Sequence, residues 1–144
     1  MSSLTGTATR FGRCYDFTAA HRLNCAAYSA EDNHRIYGKC NNPAGHGHNY
    51  RCTVIIEGEP DPVSGMIINM VTLDAMAARI IADYDYHHLD LECPDFAGRP
   101  STAENITAIL WKRFSDELQP YGAVRLHKVA ISETRNNKAA ITAN

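Results

Sequence analysis

Gly45-His46-Gly47-His48-Asn49-Tyr50-Arg51-Cys52-Thr53-Val54-Ile55-Ile56-Glu57 is the stretch on which the fold turns. From His48 onward it is rich in Val, Ile, Thr and Tyr, side chains that suit a pleated, half-buried surface, and it predicts a strand over about residues 48–57. Side chains alternate along an extended backbone, so His46 and His48 project to one face, and the glycine between them lets the backbone bend close to an ion.

Upstream, residues 7–17 alternate Phe11, Arg13, Tyr15 and Phe17 with Gly12, Cys14 and Asp16, predicting a first strand. His21 ends it in the run Ala19-Ala20-His21-Arg22, where antiparallel pairing can bring it beside His46 and His48. Three imidazoles around Zn²⁺ leave a position open for water or substrate, the arrangement of a catalytic metal site. An HxH pair alone is more often two unrelated loop residues; His21, and Cys40 just upstream, turn the reading toward a metal. His34 and His127 read as surface or hydrogen-bonded core residues. Residues 24–45 form a long polar excursion without a sustained period, the kind that carries function in a small domain.

Downstream, the turn-forming GEPDPVSG leads into a short strand at 66–68, a hairpin. From Asn69, a helix N-cap, Leu73, Met76, Ala77, Ile80, Ile81 and Tyr84 follow helical spacing to about residue 83. Ser101-Thr102-Ala103-Glu104 has a capping-box pattern and opens a second helix through Ile106, Ile109, Leu110, Phe114 and Leu118, stopped by Pro120 and Gly122. Residues 124–134 alternate, placing His127, Val129, Ile131 and Glu133 on one face, and the turn Arg135-Asn136-Asn137 leads to a last strand near 139–142. The order ββααββ predicts an α+β fold, a four-stranded antiparallel sheet with two helices on one face. Its unpaired end strands call for cover from another subunit, hence a homo-oligomer.

Composition bounds the function. With 144 residues and 44% apolar content there is room for one core and one domain, 1–144. The net charge of -2, without a run of Lys or Arg, argues against nucleic acid as a partner. The N-terminal MSSLTGTATRFGR has no apolar leader core, and no stretch approaches the ~18 apolar residues of a membrane helix, so a soluble, cytoplasmic protein with no membrane partner is expected. Five cysteines without CxxC spacing argue against a disulfide framework or a cysteine zinc knuckle; most should be small buried hydrophobes, and at least one reactive.

The run Gly38-Lys39-Cys40-Asn41-Asn42-Pro43-Ala44-Gly45-His46-Gly47-His48-Asn49-Tyr50 resembles the eukaryotic-type 6-pyruvoyltetrahydropterin synthase family. The resemblance continues through Phe17-Thr18-Ala19-Ala20-His21-Arg22-Leu23, Asp61-Pro62-Val63-Ser64-Gly65-Met66, Leu89-Asp90-Leu91, Ser101-Thr102-Ala103-Glu104-Asn105 and Glu133-Thr134. It implies a tetrahydropterin-synthase fold, or T-fold, whose sheets join into a trimeric β-barrel, two trimers stacking into a homohexamer with active sites between subunits. The implied substrate is 7,8-dihydroneopterin triphosphate, a small pterin triphosphate. The implied cofactor is Zn²⁺, held by His21, His46 and His48, with Cys40 as the proton-abstracting base, Glu133 as the pterin anchor, and Ser101 and Thr102 helping to seat the pterin.

One motif departs from the family. Where an Asp-His pair precedes Leu-Asp, this sequence has Asp85-Tyr86-His87-His88-Leu89-Asp90. Asp85 matches and Tyr86 stands at the histidine position. Either His87 or His88 takes the histidine's place, with His87 favoured; or Tyr86 donates the proton; or the activity has changed. Related readings are 6-carboxy-tetrahydropterin synthase of the queuosine pathway, disfavoured by the five residues between Cys40 and His46, and a non-catalytic, zinc-containing pterin-binding oligomer. Arg22 or Lys39 are candidates for the triphosphate contacts.

Overall fold

The strand alternation read from the sequence becomes the two faces of one sheet. The computed structural model describes residues 6–144; Met1–Thr5, the first part of the stretch MSSLTGTATRFGR, lie outside the described residues. Strand β1 (Thr9–His21) pairs antiparallel with β2 (His46–Gly58) along its full length, from Thr9 opposite Gly58 to His21 opposite His46. Strand β2 pairs in turn with β4 (Arg125–Ser132), and β4 with β5 (Lys138–Thr142). A two-residue strand, β3 (His87–His88), adds to β1 in parallel at Ala19–Ala20, giving the order β3-β1-β2-β4-β5. The sheet is therefore five-stranded and mixed rather than four-stranded and antiparallel: the strands expected at 7–17, 48–57, 124–134 and 139–142 pair antiparallel, and β3 is the parallel addition.

One face is apolar and buried, with Phe17, Ala19, Tyr50, Cys52, Val54, Ile56, Val129 and Ile131 pointing into the core. Two helices close over it, α2 (Met70–Ile81) with Leu73, Met76, Ala77 and Ile80, and α4 (Ala103–Leu118) with Ile106, Leu110 and Phe114. Asn69 caps α2 by accepting the Val71 N–H at 2.8 Å. The opposite face is polar, laced by cross-strand ion pairs such as Arg51–Asp16 at 2.8 Å and Arg125–Glu57 at 2.6 Å.

Four local expectations change. The excursion at 24–45 contains a helix, α1 (Ala30–Tyr37), capped by Ser29, and a 3-10 turn at Gly38–Asn41. Helix α1 buries an asparagine rather than an apolar stripe: the Asn33 amide donates to the carbonyls of Cys25, Tyr28 and Ser29, so there is no apolar period to read. Residues 66–68 form no strand, because β1 and β4 already occupy both edges of β2. The loop closes instead through an Asp61 carboxylate that accepts the N–H groups of Val63 and Ser64, while Ile67 packs so closely over Gly58 that a Cβ there would lie 2.8 Å from it. The N-cap of α4 is Thr102, accepting the Asn105 N–H at 3.2 Å, not Ser101. Finally, the ladder between β2 and β4 shifts between Ile55 and Ile56, paired with Lys128 and Leu126, so His127 falls on a bulge and leaves the face shared by Val129 and Ile131.

Between α2 and α4 the backbone makes β3, a single helical turn α3 (Leu89–Glu92) and a 3-10 turn at Pro94–Phe96. Among the described residues no helix is long and apolar enough to cross a membrane. The cysteines are free: Cys52 and Cys93 are buried, Cys25 and Cys40 half-buried, Cys14 exposed.

Candidate functional site

Register alone brings three imidazoles together. His21 sits directly opposite His46, and His48 opposite Ala19, so all three side chains rise from the buried-side face where β1 ends and β2 begins. The corner is tight at Gly45, with φ at +72°, where a Cβ would lie 2.9 Å from the His21 carbonyl oxygen and 3.2 Å from His88 Nε2. Only glycine fits this crossing.

The hydrogen bonds settle the tautomer of His21, which is 0% exposed. Its Nδ1 lies 2.9 Å from the Ser101 carbonyl oxygen, which can only accept, so Nδ1 carries the proton and Nε2 presents a lone pair. Ser101 Oγ at 3.2 Å and the Tyr50 hydroxyl at 3.5 Å surround the same nitrogen. The His21 Nε2 lone pair faces His46 Nε2 at 3.0 Å, and His48 Nε2 is buried with no hydrogen-bond partner. The ligating atoms of all three residues lie within 4.8 Å of one another.

Converging lone pairs in a desolvated corner repel unless a cation or proton lies between them. Tetrahedral Zn²⁺ with Zn–N of about 2.0–2.1 Å spaces its nitrogens by about 3.3 Å, so this donor set fits zinc with a modest spreading of the rings. Burial pushes the imidazole pKa of both His46 and His48 down, the neighbouring histidines add to this, and Glu133 opposes it. Neutral imidazole is the metal-ligating form. Behind the three imidazoles, the Ser101 carbonyl on His21 Nδ1 is the kind of contact that fixes ring orientation in histidine metal sites.

Glu133 completes the corner. Its backbone N–H donates to the Asn137 carbonyl at 3.0 Å, closing the turn after β4, and its largely buried carboxylate stands 3.6 Å from His48 Nε2. Cys40 lies in the 3-10 turn that is hooked onto the exit of β1. Its carbonyl accepts the Leu23 N–H at 2.9 Å, the Asn41 amide donates to the Leu23 carbonyl at 2.7 Å, and Arg22 Nε donates to the Asn41 carbonyl at 3.0 Å.

Of the other residues singled out from the sequence, Ser101 adjoins the corner and the rest lie elsewhere. Thr102 is engaged as the cap of α4 and Ser101 is wholly buried behind His21. The Asp85 carboxylate accepts the Thr18 N–H at 2.8 Å and lines a cavity of about 660 Å³ on the polar side of the sheet, with Arg51, Ser132, Arg135 and Lys138. His87 donates from Nδ1 to the Asp85 backbone carbonyl at 2.8 Å and lines a different cavity with Tyr84, Cys93, Asp95 and Arg113. Tyr86 is 86% exposed and adopts φ +60°. Two contributors had different visibility: Tyr50, two residues after His48, shares its face by alternation, whereas nothing local announces that Ser101 meets a residue 80 positions away.

The same architecture and motifs recur in known proteins. Residues 12–144 match the family model described as 6-pyruvoyl tetrahydropterin synthase. The chain belongs to this family. It is 42% identical over 126 residues to the 6-pyruvoyl tetrahydrobiopterin synthase of Homo sapiens, covering 87% of this chain and 85% of that one. It is 40% identical over 134 residues to the protein of that name from Poecilia reticulata, covering 88% and 90%. The solved structure of Caenorhabditis elegans 6-pyruvoyl tetrahydropterin synthase superposes with a TM-score of 0.89 at 32% identity, covering 96% of this chain and 97% of that one. The α+β fold described above is thus the fold of 6-pyruvoyl tetrahydropterin synthase structures.

Proposed function

We propose that the protein is a zinc-dependent, triphosphate-eliminating lyase of tetrahydrobiopterin biosynthesis, converting 7,8-dihydroneopterin triphosphate to 6-pyruvoyltetrahydropterin. The observation that carries this reading is the three-imidazole corner with Glu133 beside it, in a protein 42% identical to the human synthase. The reaction balances internally: the carbons of the substrate's side chain are oxidised as the ring C=N is reduced and triphosphate leaves, so no external reductant is required.

A zinc ion held by His21, His46 and His48 would supply Lewis-acid polarisation of the hydroxyls on the substrate's side chain. The remaining work falls to the protein's own groups. The Glu133 carboxylate accepts hydrogen bonds from the pterin 2-amino group and ring N–H, a donor pair that matches its two oxygens. Cys40 takes the proton from a C–H bond of the substrate's side chain; a thiolate suits the task because cysteine ionises near pH 8.5 and a cationic neighbour brings that closer to neutrality. Ser101 holds the His21 ring in the ligating tautomer, and Thr102 sets the start of α4 next to it. Asp85 and His87 line cavities away from this corner within one protomer, so their part is played toward the site of a neighbouring copy: His87, its tautomer set by donation to the Asp85 carbonyl, keeps Nε2 to relay a proton there, with Asp85 as the orienting residue through its backbone rather than its carboxylate.

Among the described residues, the edge of β1 before Ala19 and the outer edge of β5 have no strand beside them, which supports assembly with further copies, read here as a homohexamer of two stacked trimers. Exposed Val63, Val71, Leu91 and Tyr86 add apolar surface for such contacts. Light scattering on the purified protein reads the mass directly.

The deciding experiment incubates zinc-loaded protein with 7,8-dihydroneopterin triphosphate and identifies products by mass, beside a Cys40→Ala control. The expected result is 6-pyruvoyltetrahydropterin and one triphosphate per turnover, absent in the control. A 6-carboxylated product would select the queuosine-type reaction. Intact substrate with zinc bound would select the non-catalytic binding protein, the reading that the exposed Tyr86 at the family's histidine position favours.

A further inference from the structure

Among the described residues, every arginine is ion-paired to a carboxylate except Arg22, Arg99 and Arg135. Arg22 and Arg99 line the same cavity, of about 380 Å³, with Asn24, His88, Asp90 and Pro100 among its walls. That volume lies within the range of ordinary small-ligand sites, roughly 300–1,000 Å³.

Each charged wall of this cavity is anchored beside the histidine corner. Arg22 follows His21 in sequence, and its Nε is committed to the Asn41 carbonyl at 3.0 Å, which holds the guanidinium in place and leaves its terminal nitrogens free. Pro100 precedes Ser101, the residue behind His21. His88 Nε2 packs against Gly45, which precedes His46. The carboxylate in the cavity, Asp90, is already engaged by the Arg22 backbone N–H at 2.7 Å and stands 4.0 Å from His88 Nδ1. Two guanidinium groups against one occupied carboxylate leave the balance positive. Arg135 belongs to the larger cavity on the polar face, from which the thickness of the sheet separates the histidines of the same protomer.

We propose that this cavity is the triphosphate subsite, Arg22 and Arg99 binding the phosphate oxygens of the substrate before elimination and of the leaving triphosphate after it. The ligand's identity rests on the function proposed above. Unpaired, forked guanidinium donors are the groups that recognise phosphate, and a pterin whose side chain sits at the histidines would carry its phosphates a few ångströms further, into the neighbouring space. Of the two candidates named from the sequence, Arg22 lines this cavity and Lys39 does not.

Two measurements test the assignment. The first is calorimetric titration of zinc-loaded protein with sodium tripolyphosphate, given as its magnesium complex so that it does not strip the zinc. The second is steady-state kinetics with 7,8-dihydroneopterin triphosphate. Arg99→Gln is the primary variant because Arg99 is exposed and makes no side-chain bond that folding would miss; Arg22→Gln is the second, and Arg135→Gln the control in the other cavity. Tripolyphosphate binding that weakens about tenfold in Arg99→Gln and Arg22→Gln, and not in Arg135→Gln, supports the subsite. No binding to the wild type, or weakening only in Arg135→Gln, overturns it. Tripolyphosphate binding without turnover of the pterin would leave the subsite standing and remove the function; turnover with KM unmoved in Arg99→Gln would do the reverse.

Discussion

The histidine corner and the segment from Asp83 to Asp95 are neighbours in space but are built in opposite ways. In the corner, a continuous antiparallel ladder of β1 and β2 fixes His21, His46 and His48, and any residue on that register would be placed equally well. The Asp83–Asp95 segment carries Asp85 and Tyr86 in a turn and His87 and His88 on the two residues of β3, ahead of the single helical turn α3. It is tied to β1 through β3 and the Asp85 carboxylate, and at its ends by tertiary clamps: Arg113 on α4 reaches Asp83 at 2.6 Å, Asp95 at 3.1 Å and the Tyr84 hydroxyl at 2.9 Å. Cys93 Sγ adds a bond to the Asp83 carbonyl at 3.3 Å, and burial followed by the surrounding carboxylates pushes that thiol up to about 11, leaving it an inert donor. A three-imidazole corner needs the rigidity of a ladder, whereas a turn held through backbone contacts, with its Tyr86 side chain 86% exposed, tolerates a change of side chain. The family motif is kept in the corner and broken at Tyr86.

The largest expected effect separates the two regions. His46→Ala should reduce bound zinc from about one ion per protomer to near zero and abolish turnover, since two imidazoles do not hold a catalytic zinc. Tyr86→Phe should retain full zinc content. Metal analysis beside the product assay reads both; loss of zinc in the Tyr86 variant would show that the regions are not independent.

Next in size, Ser101→Ala removes the Oγ near His21 Nδ1 while leaving the carbonyl acceptor. Zinc affinity, measured by chelator competition, should fall by up to about tenfold, the lower end of the usual effect of an outer-sphere partner. A drop beyond about a hundredfold would mean that the hydroxyl, rather than the carbonyl, fixes the ring.

Arg113→Met tests the clamp. Its ion pairs are part-exposed, so a loss of about 1–2 kcal/mol is expected, seen as a fall in melting temperature of roughly 3–8 °C with zinc content unchanged. Turnover should fall further than the small unfolded fraction explains if the clamp positions His87, and Arg113→Lys should recover part of it.

The smallest effect is at Tyr86→Gly. Relief of a left-handed backbone is worth about 1–2 kcal/mol and the entropy cost of glycine about 0.5–1, so the variant should be equally stable or more stable by up to about 1.5 kcal/mol. A marked loss of stability would show that the Tyr86 side chain packs against something, such as a second copy of the protein.

The parts of the molecule that were legible along the backbone were those with a period. Alternation marked β1 and β4, the Val, Ile, Thr and Tyr content marked β2, the turn Arg135-Asn136-Asn137 marked the short β5, and 3.6-residue spacing marked α2 and α4. Helix α1 escaped because its buried residue is Asn33, bonded to carbonyls rather than packed in an apolar stripe. The strand expected at 66–68 failed because strand propensity is local while edge availability is not: β2 had no free edge left. Strand β3 is too short to have a period at all. For the site, the spacing of His46 and His48 placed both on one face and antiparallel pairing placed His21 beside them, but the Ser101 carbonyl that meets His21 Nδ1 was not visible.

The order of residues set the chemistry on offer and its side of the sheet: three imidazoles, a thiol and a carboxylate, assigned to faces by a period of two. Packing in three dimensions selected which carbonyl sets the tautomer of His21, sent Asp85 and His87 to line cavities apart from the histidine corner, and brought Arg22 and Arg99 into one space. Periodicity acts between near neighbours in sequence, whereas a buried donor is satisfied by whichever acceptor packing brings to it, here from the approach to the N-terminus of α4.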